Sequence, residues 1–512
     1  MSKWLDSLIL IVLALALSFF VLDKFVVTPQ QQAEEIAAAR EEARIETLFS
    51  TYGAQSIAVL PFADMSPAGN LEYFSDGLSE ELLNSLSKIP ALRVISRSSA
   101  FSYKGRSVPI PTIASQLNVD HILEGSIRQE GDEIRITAQL IEARSDTHVW
   151  SGTYDRTLRN IFEIQNEIAE AVVMQLKIEL LDEVATRKPI DPQAYSLYLQ
   201  AKYKSRQGTA VAMNQSNMLY LQSLAIEPDY ADAWGGLAFN YFNQASDEKG
   251  YSLARETAKH ALTIDPTYAF AHVVLGRIAV FDDSHHDLKA AARHHELALV
   301  LKPTDADIIG HTASLLFLLG RFDQAIPLFN YWIAHDPLYA TGHYYQAINY
   351  LLAGRLDEAI ASAQTALGLE LGYGGAHYVI GEALMFKGDL ELALDTFLEE
   401  RIEQLRVKGA AMVLYSLGRQ AEFKVTLDEL KAGWGTKSPS EVAHVFAWQG
   451  DIEAAFEWLA KAEAQSEPGL AGQFLQPFFA PLHTDPRWLA FRERMGTSQE
   501  QLDAIELKVV LP

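Results

Sequence analysis

Cysteine is absent from all 512 residues, which removes disulfides, thiolate metal sites and cysteine nucleophiles together. The absence says little about redox compartment, because a cysteine-free chain is stable in either. Positive charge is scarce as well. Lys and Arg number 42 against 66 Asp and Glu, leaving a net charge of −24. Duplex binding needs cations clustered on one face to displace counterions from phosphate. No such cluster occurs, so nucleic acid is not an expected partner. Three catalytic signatures are missing too: the phosphate loop G-x-x-x-x-G-K-[ST], the zinc motif H-E-x-x-H, and the nucleophile elbow G-x-S-x-G. With no nucleophile, base or metal constellation in view, the chain is expected to be no enzyme and to carry no cofactor.

Only one apolar run is long enough to concern a bilayer. Ser7 to Leu22 spans 16 residues without a charge, slightly short of the roughly 20 needed to cross the hydrocarbon. Trp4 on one side, and Asp23-Lys24 leading into Phe25-Val26-Val27 on the other, extend it, since lysine snorkels and tryptophan favours the interface. Residues 1–28 therefore read as a signal anchor, a single transmembrane helix. A cleaved signal peptide, cut at Ala14–Ala16, and a buried soluble helix are the alternatives. Lys3 and the amino group place the amino terminus inside. Residues 29–54 follow as a helical stalk, rich in Ala, Glu and Arg, whose apolar stripe of Ile36, Ala39 and Ala43 is thin. A short coiled coil is the other reading of that segment.

From Gln55 the periodicity changes. Ile57–Leu60 is apolar on both faces, as suits a central strand. Asp76 and Ser79 are candidate caps for a helix bearing Leu78, Leu82, Leu86 and Ile89. Leu92–Ile95 reads as a second strand and Ile113–Leu117 as a short helix. His121–Gln129 and Glu133–Glu142 flank the turn Glu130-Gly131-Asp132, and Ile134, Ile136, Ala138 and Leu140 alternate along the second run. His148–Tyr154 is another strand, with Trp150 and Tyr154 expected in the core, and a helix from about Ile161 to Leu181 closes the unit. Residues 55–185 thus form an α+β domain.

The second half is all helical and repetitive. Gly320, Gly354 and Gly388 stand 34 residues apart, each followed five residues later by an alanine (Ala325, Ala359, Ala393). That alanine recurs at Ala291 and Ala254, and small residues recur at Ala238, Gly276, Ala313, Ala347 and Gly381. Pro228, Pro266, Pro303 and Pro337 punctuate the period, each preceded by a charged residue: Glu227, Asp265, Lys302, Asp336. A period of 34 with small residues where helices cross is the code of a tetratricopeptide-type helix pair. Residues 190–405 are expected to be this all-α solenoid, and 406–512 its degenerate copies and cap, with Gly418 and Gly450 as weaker markers.

Four strings carry a family likeness: SIAVLPFADMS (Ser56–Ser66), FSDGLSEELLNSLSKIPALRVISRSSAFSYKG (Phe74–Gly105), LNVDHILEGSIRQEGDEIRITAQLIEARSDTHVWSGTYDR (Leu117–Arg156) and IFEIQNEIAEAV (Ile161–Val172). Together they resemble the TolB amino-terminal-like domain of bacterial regulators and adenylate cyclases that also carry tetratricopeptide repeats. FFAPLHTDPRWLAFRERMG (Phe478–Gly496) is similar to the usual end of those proteins. The resemblance implies a bacterial protein; with the apolar run as its anchor and the amino terminus inside, its bulk is expected in the periplasm on the inner membrane. The resemblance also implies an output domain, a winged helix or a cyclase, on the amino-terminal side. Too few residues precede the apolar run for either, so any signalling is expected to pass through a separate partner, or there is none and the protein is an assembly factor.

Candidate sites are few. His285, His286, His294 and His295 form the densest histidine group, but His286 and His294 are eight apart, too far along one helix to share an ion, so no metal is expected. Arg97, Ser98, Tyr103 and Lys104 read either as loop hydrogen bonding or as a ligand or partner contact. The concave face of the solenoid is the stronger candidate, because such surfaces bind protein or peptide segments. The repeat register places Asp232, Phe239, Phe242, Phe270, Arg277, Asp307, Phe317, Tyr344, Tyr378 and Glu382 there. The leading expectation is a membrane-anchored scaffold. Its rival is a receptor-like sensor whose α+β domain binds a small molecule.

Overall fold

The computed structural model describes residues 55–176 and 190–511, apart from positions 68, 90, 131–132, 158–160, 283–286, 466 and 468–469. The expected membrane helix and stalk (1–54) lie outside the described residues. Among the described residues no helix is long and apolar enough to cross a membrane.

The first region is built on one mixed sheet. Its strands are β1 (Gln55–Val59), β2 (Ala63–Asp64), β3 (Leu92–Val94), β4 (His121–Glu130), β5 (Glu133–Glu142) and β6 (Thr147–Thr157). The order is β3-β1-β4-β5-β6, with β2 continuing the β1 side against β4. β1 runs parallel to β3 and β4, whereas β4, β5 and β6 form an antiparallel meander. Four helices cover it: α1 (Glu72–Leu86), α2 (Arg97–Phe101), α3 (Ile110–Leu117) and α4 (Ile161–Gln175). Ile57 and Val59 pack with α1 and α4, while Ala58 and Leu60 pack with α2 and α3. Both faces of β1 are therefore covered, which is why it alone lacks polar alternation. The expected caps are corrected. The helix begins a turn earlier, at Glu72, so Asp76 and Ser79 are interior residues. Ser79 Oγ accepts the Phe62 N–H at 2.8 Å and donates to the Ser75 carbonyl. Trp150 and Tyr154 are half-buried at the edge of this core.

The rest is a solenoid of helix pairs. They are α5 (Pro192–Ser205) with α6 (Ala210–Ile226), α7 (Ala231–Gln244) with α8 (Glu248–Ile264), and α9 (Ala269–Phe281) with α10 (Leu288–Leu301). Next come α11 (Ala306–Leu318) with α12 (Phe322–His335), α13 (Ala340–Leu352) with α14 (Leu356–Leu369), and α15 (Ala376–Lys387) with α16 (Leu390–Leu398). The last are α17 (Glu403–Ser416) with α18 (Gln420–Trp434), and α19 (Pro439–Gln449) with α20 (Ile452–Ala464). The two halves of the repeat code have separate causes. Gly320, Gly354, Gly388, Gly418 and Gly450 all have φ between +70° and +90°, a left-handed conformation that ends the first helix of each pair where glycine has no Cβ to strain. Ala254, Ala291, Ala325, Ala359 and Ala393 are fully buried where the two helices cross. At Gly276 the crossing is tighter still: a Cβ there would lie 2.8 Å from the His295 ring.

After α20 the chain turns back. α21 (Leu470–Gln473), a 3₁₀ turn (Pro477–Leu482), α22 (Pro486–Arg494) and α23 (Gln499–Asp503) lead into a tail without regular structure. Leu502 and Ile505 are buried with Leu288, Leu315 and Leu319. Leu507, Val509 and Leu511, every second residue, pack on the core of α9 to α12. Arg321 ties the segment down by donating to the carbonyls of Leu502 and Ile505.

The two glycine roles separate on substitution. Gly276→Ala must displace a histidine ring that Thr312 holds at 3.4 Å, and is expected to cost about 1–3 kcal/mol. Gly354→Ala meets open space, so only its backbone strain remains, about 1 kcal/mol. Urea unfolding of the two variants checks the order; Gly354→Ala as the more damaging change would refute it.

Candidate functional site

The α+β domain is docked into the solenoid. Helix α1 lies on α5 so closely that a Cβ at Gly77 would come within 2.7 Å of Leu199. Around this contact sits an ionic knot. Glu80 takes Lys202 Nζ at 2.6 Å, Arg97 Nε at 3.4 Å, and the Arg206 guanidinium. Burial alone would raise the Glu80 carboxyl, but Arg206, Lys202 and Arg97 together hold it down at about 2. Beside it Lys104 bridges Asp76 and Glu72, both at 2.7 Å. Desolvation dominates at Asp76, whose carboxyl is raised despite Lys104 and Arg97.

A second contact joins α2 to the turn between α12 and α13. Asp336, only 2 % exposed, accepts Ser98 Oγ at 2.6 Å, the Ser99 N–H at 2.9 Å and Ser99 Oγ at 2.5 Å. Ser99 Oγ in turn accepts the Leu338 N–H at 2.9 Å, and the Ser96 N–H donates to the His335 carbonyl at 2.6 Å. Arg93 reaches across from β3 to the Ala334 carbonyl at 3.0 Å. Leu338 packs on the apolar cluster around α2 and α3. Thr304 Oγ1, on the preceding turn, donates to the Ser87 carbonyl at 2.9 Å. Of the polar loop read from sequence, Arg97, Ser98 and Lys104 belong to these two contacts. Tyr103 donates to Gln116 within its own domain, at 2.7 Å. Ser98 reaches the solenoid through Asp336, whereas Arg97 and Lys104 pair with carboxylates of their own domain.

Between the docked domain and the first helices of successive pairs lies a cavity of about 1910 Å³. Asp232, Phe239, Phe270, Arg277 and Asp307 all line it. Phe242 lies just behind, its ring 4.4 Å beneath the Arg277 guanidinium. Phe317 packs on Phe322 at 6.1 Å, away from the cavity. Tyr344 lies between Tyr345 at 5.7 Å and Tyr373 at 5.1 Å, both rings tilted to it, farther along the same face. Tyr378 and Glu382 are placed otherwise: both are buried between α15 and α17. Lys408 lies 4.5 Å over the Tyr378 ring. Burial outweighs Lys408 at Glu382 and pushes its carboxyl up to about 7. Asp307 is exposed on the cavity wall. Desolvation, with Asp305 and Asp336 nearby, pushes it up to about 7, a shift that solvent in the cavity mouth blunts.

Of the histidine group, His285 and His286 lie outside the described residues. His294 meets His272 Nδ1 to Nδ1 at 3.0 Å, and His295 is buried against α9. Among the described residues no group of three or more His, Asp or Glu is arranged to hold a metal ion. Sequence reasoning passed over Asp336, Ser99 and Arg93. In the sequence Asp336 is one charged residue before a proline, the equal of Glu227 and Asp265, and nothing local marks it as the one that faces another domain.

Residues 53–171 match the family model described as the second domain of HilA/YgeH-like transcriptional regulators. A candidate adenylate cyclase (adenylate cyclase 3) of Rhizobium meliloti is 33% identical over 231 residues, covering 43% of this chain and 39% of that protein. The transcriptional regulator HilA of Salmonella typhimurium is 23% identical over 298 residues, covering 55% of this chain and 51% of HilA. The chain therefore spans between two-fifths and about half the length of these curated relatives. Among solved structures, the type IV pilus biogenesis factor PilW is similar at a TM-score of 0.37 and 20% identity, covering 42% of this chain and 98% of PilW. A tetratricopeptide repeat protein from Parabacteroides merdae is similar at 0.38 and 15% identity, covering 49% and 98%.

The Asp336 contact makes docking sensitive to pH. Burial pushes this carboxyl up to about 6 against an ordinary 3.8, although three serine donors oppose the rise. The folded state therefore holds an extra proton between about pH 4 and 6, so this group's contribution to stability is full at the acid end and fades as pH rises through 6. Asp336→Asn is expected to show a flatter thermal midpoint across that window than the parent chain. An unchanged slope would refute the assignment.

Proposed function

We propose that this chain is a non-enzymatic interaction scaffold, whose tetratricopeptide-like concave face takes a protein or peptide segment. The observation that carries the reading is the tyrosine cluster on that face just beyond the docked domain. Tyr339 and Tyr345 are 37% and 39% exposed; Tyr339 rests on Trp332 at 5.9 Å, and Tyr345 on Tyr344, which Tyr373 backs in turn, itself held by a hydrogen bond to Thr341 at 3.0 Å. Rigid aromatic side chains that show one edge to solvent and rest on a packed layer are the usual anchors of binding hot spots. Phe239, Phe270 and Asp232 extend the same face under the roof of the α+β domain, and Tyr344 is the position from the sequence-derived set that supports the exposed cluster. In this proposal residues 55–185 are a TolB amino-terminal-like domain serving as the fixed inner partner of the solenoid. Residues 1–28 anchor the chain in a bacterial inner membrane with its bulk in the periplasm. The net charge of −24 favours a protein partner over nucleic acid.

Affinity capture from solubilised membranes, compared between the parent and Tyr344→Ala/Tyr345→Ala, tests the groove. The double variant is expected to lose at least about tenfold of specific capture, as truncation of hot-spot aromatics does, with native circular dichroism. Equal capture by both proteins would remove the cluster from the binding surface. A reporter fused after Pro512 and active only in the cytoplasm would overturn the topology.

A further inference from the structure

Arg277 projects from α9 toward the cavity in a different environment from the cations around Glu80. Arg97, Lys202 and Arg206 are held by Glu80. No carboxylate pairs with Arg277 among the described residues; its contacts are the Phe242 ring at 4.4 Å and the Phe239 ring at 5.8 Å. A stacked guanidinium presents an aromatic ring to one face and keeps its N–H edge for a planar, forked acceptor. Desolvation lowers the Arg277 pKa, and the neighbours that oppose this are only Tyr345 and Tyr339. A largely enclosed cation without a counter-ion is costly, and an anion that enters beside it relieves that cost.

We infer that the Arg277 end of the interdomain cavity is a binding site for a small aromatic carboxylate. The carboxylate forks the guanidinium edge, and the ring of the ligand meets the wall formed by Phe239 and Phe270, themselves 5.5 Å apart. His295 and His311, on the same stretch of wall, are kept neutral by burial and by Arg277. They offer N–H donors without adding charge. Asp305 and Asp307 line the cavity too. Lys88 and Lys302 line the cavity as well, but among the described residues Arg277 is its one arginine without a carboxylate partner, and a single guanidinium beside Asp305 and Asp307 suits a monoanion over a phosphate dianion. Because the roof is the α+β domain, a ligand here touches both units and stabilises their docking.

Titration of the full-length chain with phenylacetate, followed by thermal shift and calorimetry, tests the site. Phenylacetate is expected to raise the thermal midpoint with dose, while the neutral isostere phenylacetamide and inorganic phosphate leave it unchanged. Arg277→Gln should weaken phenylacetate binding at least about tenfold, the usual effect of removing a charge-assisted contact, and Phe270→Ala should weaken it with Arg277 in place. If Arg277→Gln does not fold, the carboxylate and amide pair on the parent chain decides alone. The inference is overturned by no shift with phenylacetate up to about 10 mM, by equal binding of the amide or of phosphate, or by undiminished binding in a folded Arg277→Gln protein.

Discussion

Everything between the two units turns on where charge can be buried. Glu80, Asp336 and Arg93 each lie in protein rather than water, and each takes partners from the other unit: Lys202 and Arg206 for Glu80, Ser98 and Ser99 for Asp336, the Ala334 carbonyl for Arg93. Removing one of these partners while the units stay docked would leave a buried group under-satisfied, which costs far more than a surface pair returns. Apolar area at Gly77–Leu199 and Leu338 adds to docking, but the polar set fixes its orientation. The cavity is a by-product of that orientation: the domain touches the solenoid at its first pair and at the turns before α11 and α13, and it bridges the concave space between.

How much of this was readable depends on whether the physical demand is local. A turn that needs positive φ asks for glycine wherever it occurs, and a zero-clearance crossing asks for alanine. The helix-pair architecture was therefore legible from Gly320, Gly354 and Gly388 and their trailing alanines. The β4–β5 hairpin was legible for the same reason, from alternation about a glycine turn. β2 and α2, two and five residues long, leave no period to detect. The caps assigned to Asp76 and Ser79 failed because the preferred cap residues are also good side-chain acceptors and donors inside a domain, as Ser79 is to Phe62 and Ser75 and Asp76 to Lys104.

The candidate site was legible by half. Register arithmetic brought Asp232, Phe239, Phe270, Arg277 and Asp307 to one surface, because equivalent positions on successive first helices face the same way. It also named Tyr378 and Glu382, which sit under α17, and Phe317, which leans on Phe322. Curvature and the lean of each next helix decide which equivalent positions stay open, and neither is written in a single repeat. That the concave face carries the chain's own domain was beyond reach, since Asp336 differs from its counterparts only in what stands opposite.

The returning tail changes how such a molecule comes apart. Open helical arrays touch only their neighbours, so their outer pairs fray first and melting spreads inward. Here Leu507, Val509 and Leu511 are laid across α9 to α12, and the sheet domain grips the turns at Thr304 and Asp336. Both flanks are thereby strapped to the middle of the array. Long-range ties of this kind convert a zipper into a loop, and the helix pairs at either end acquire the persistence of those at the centre.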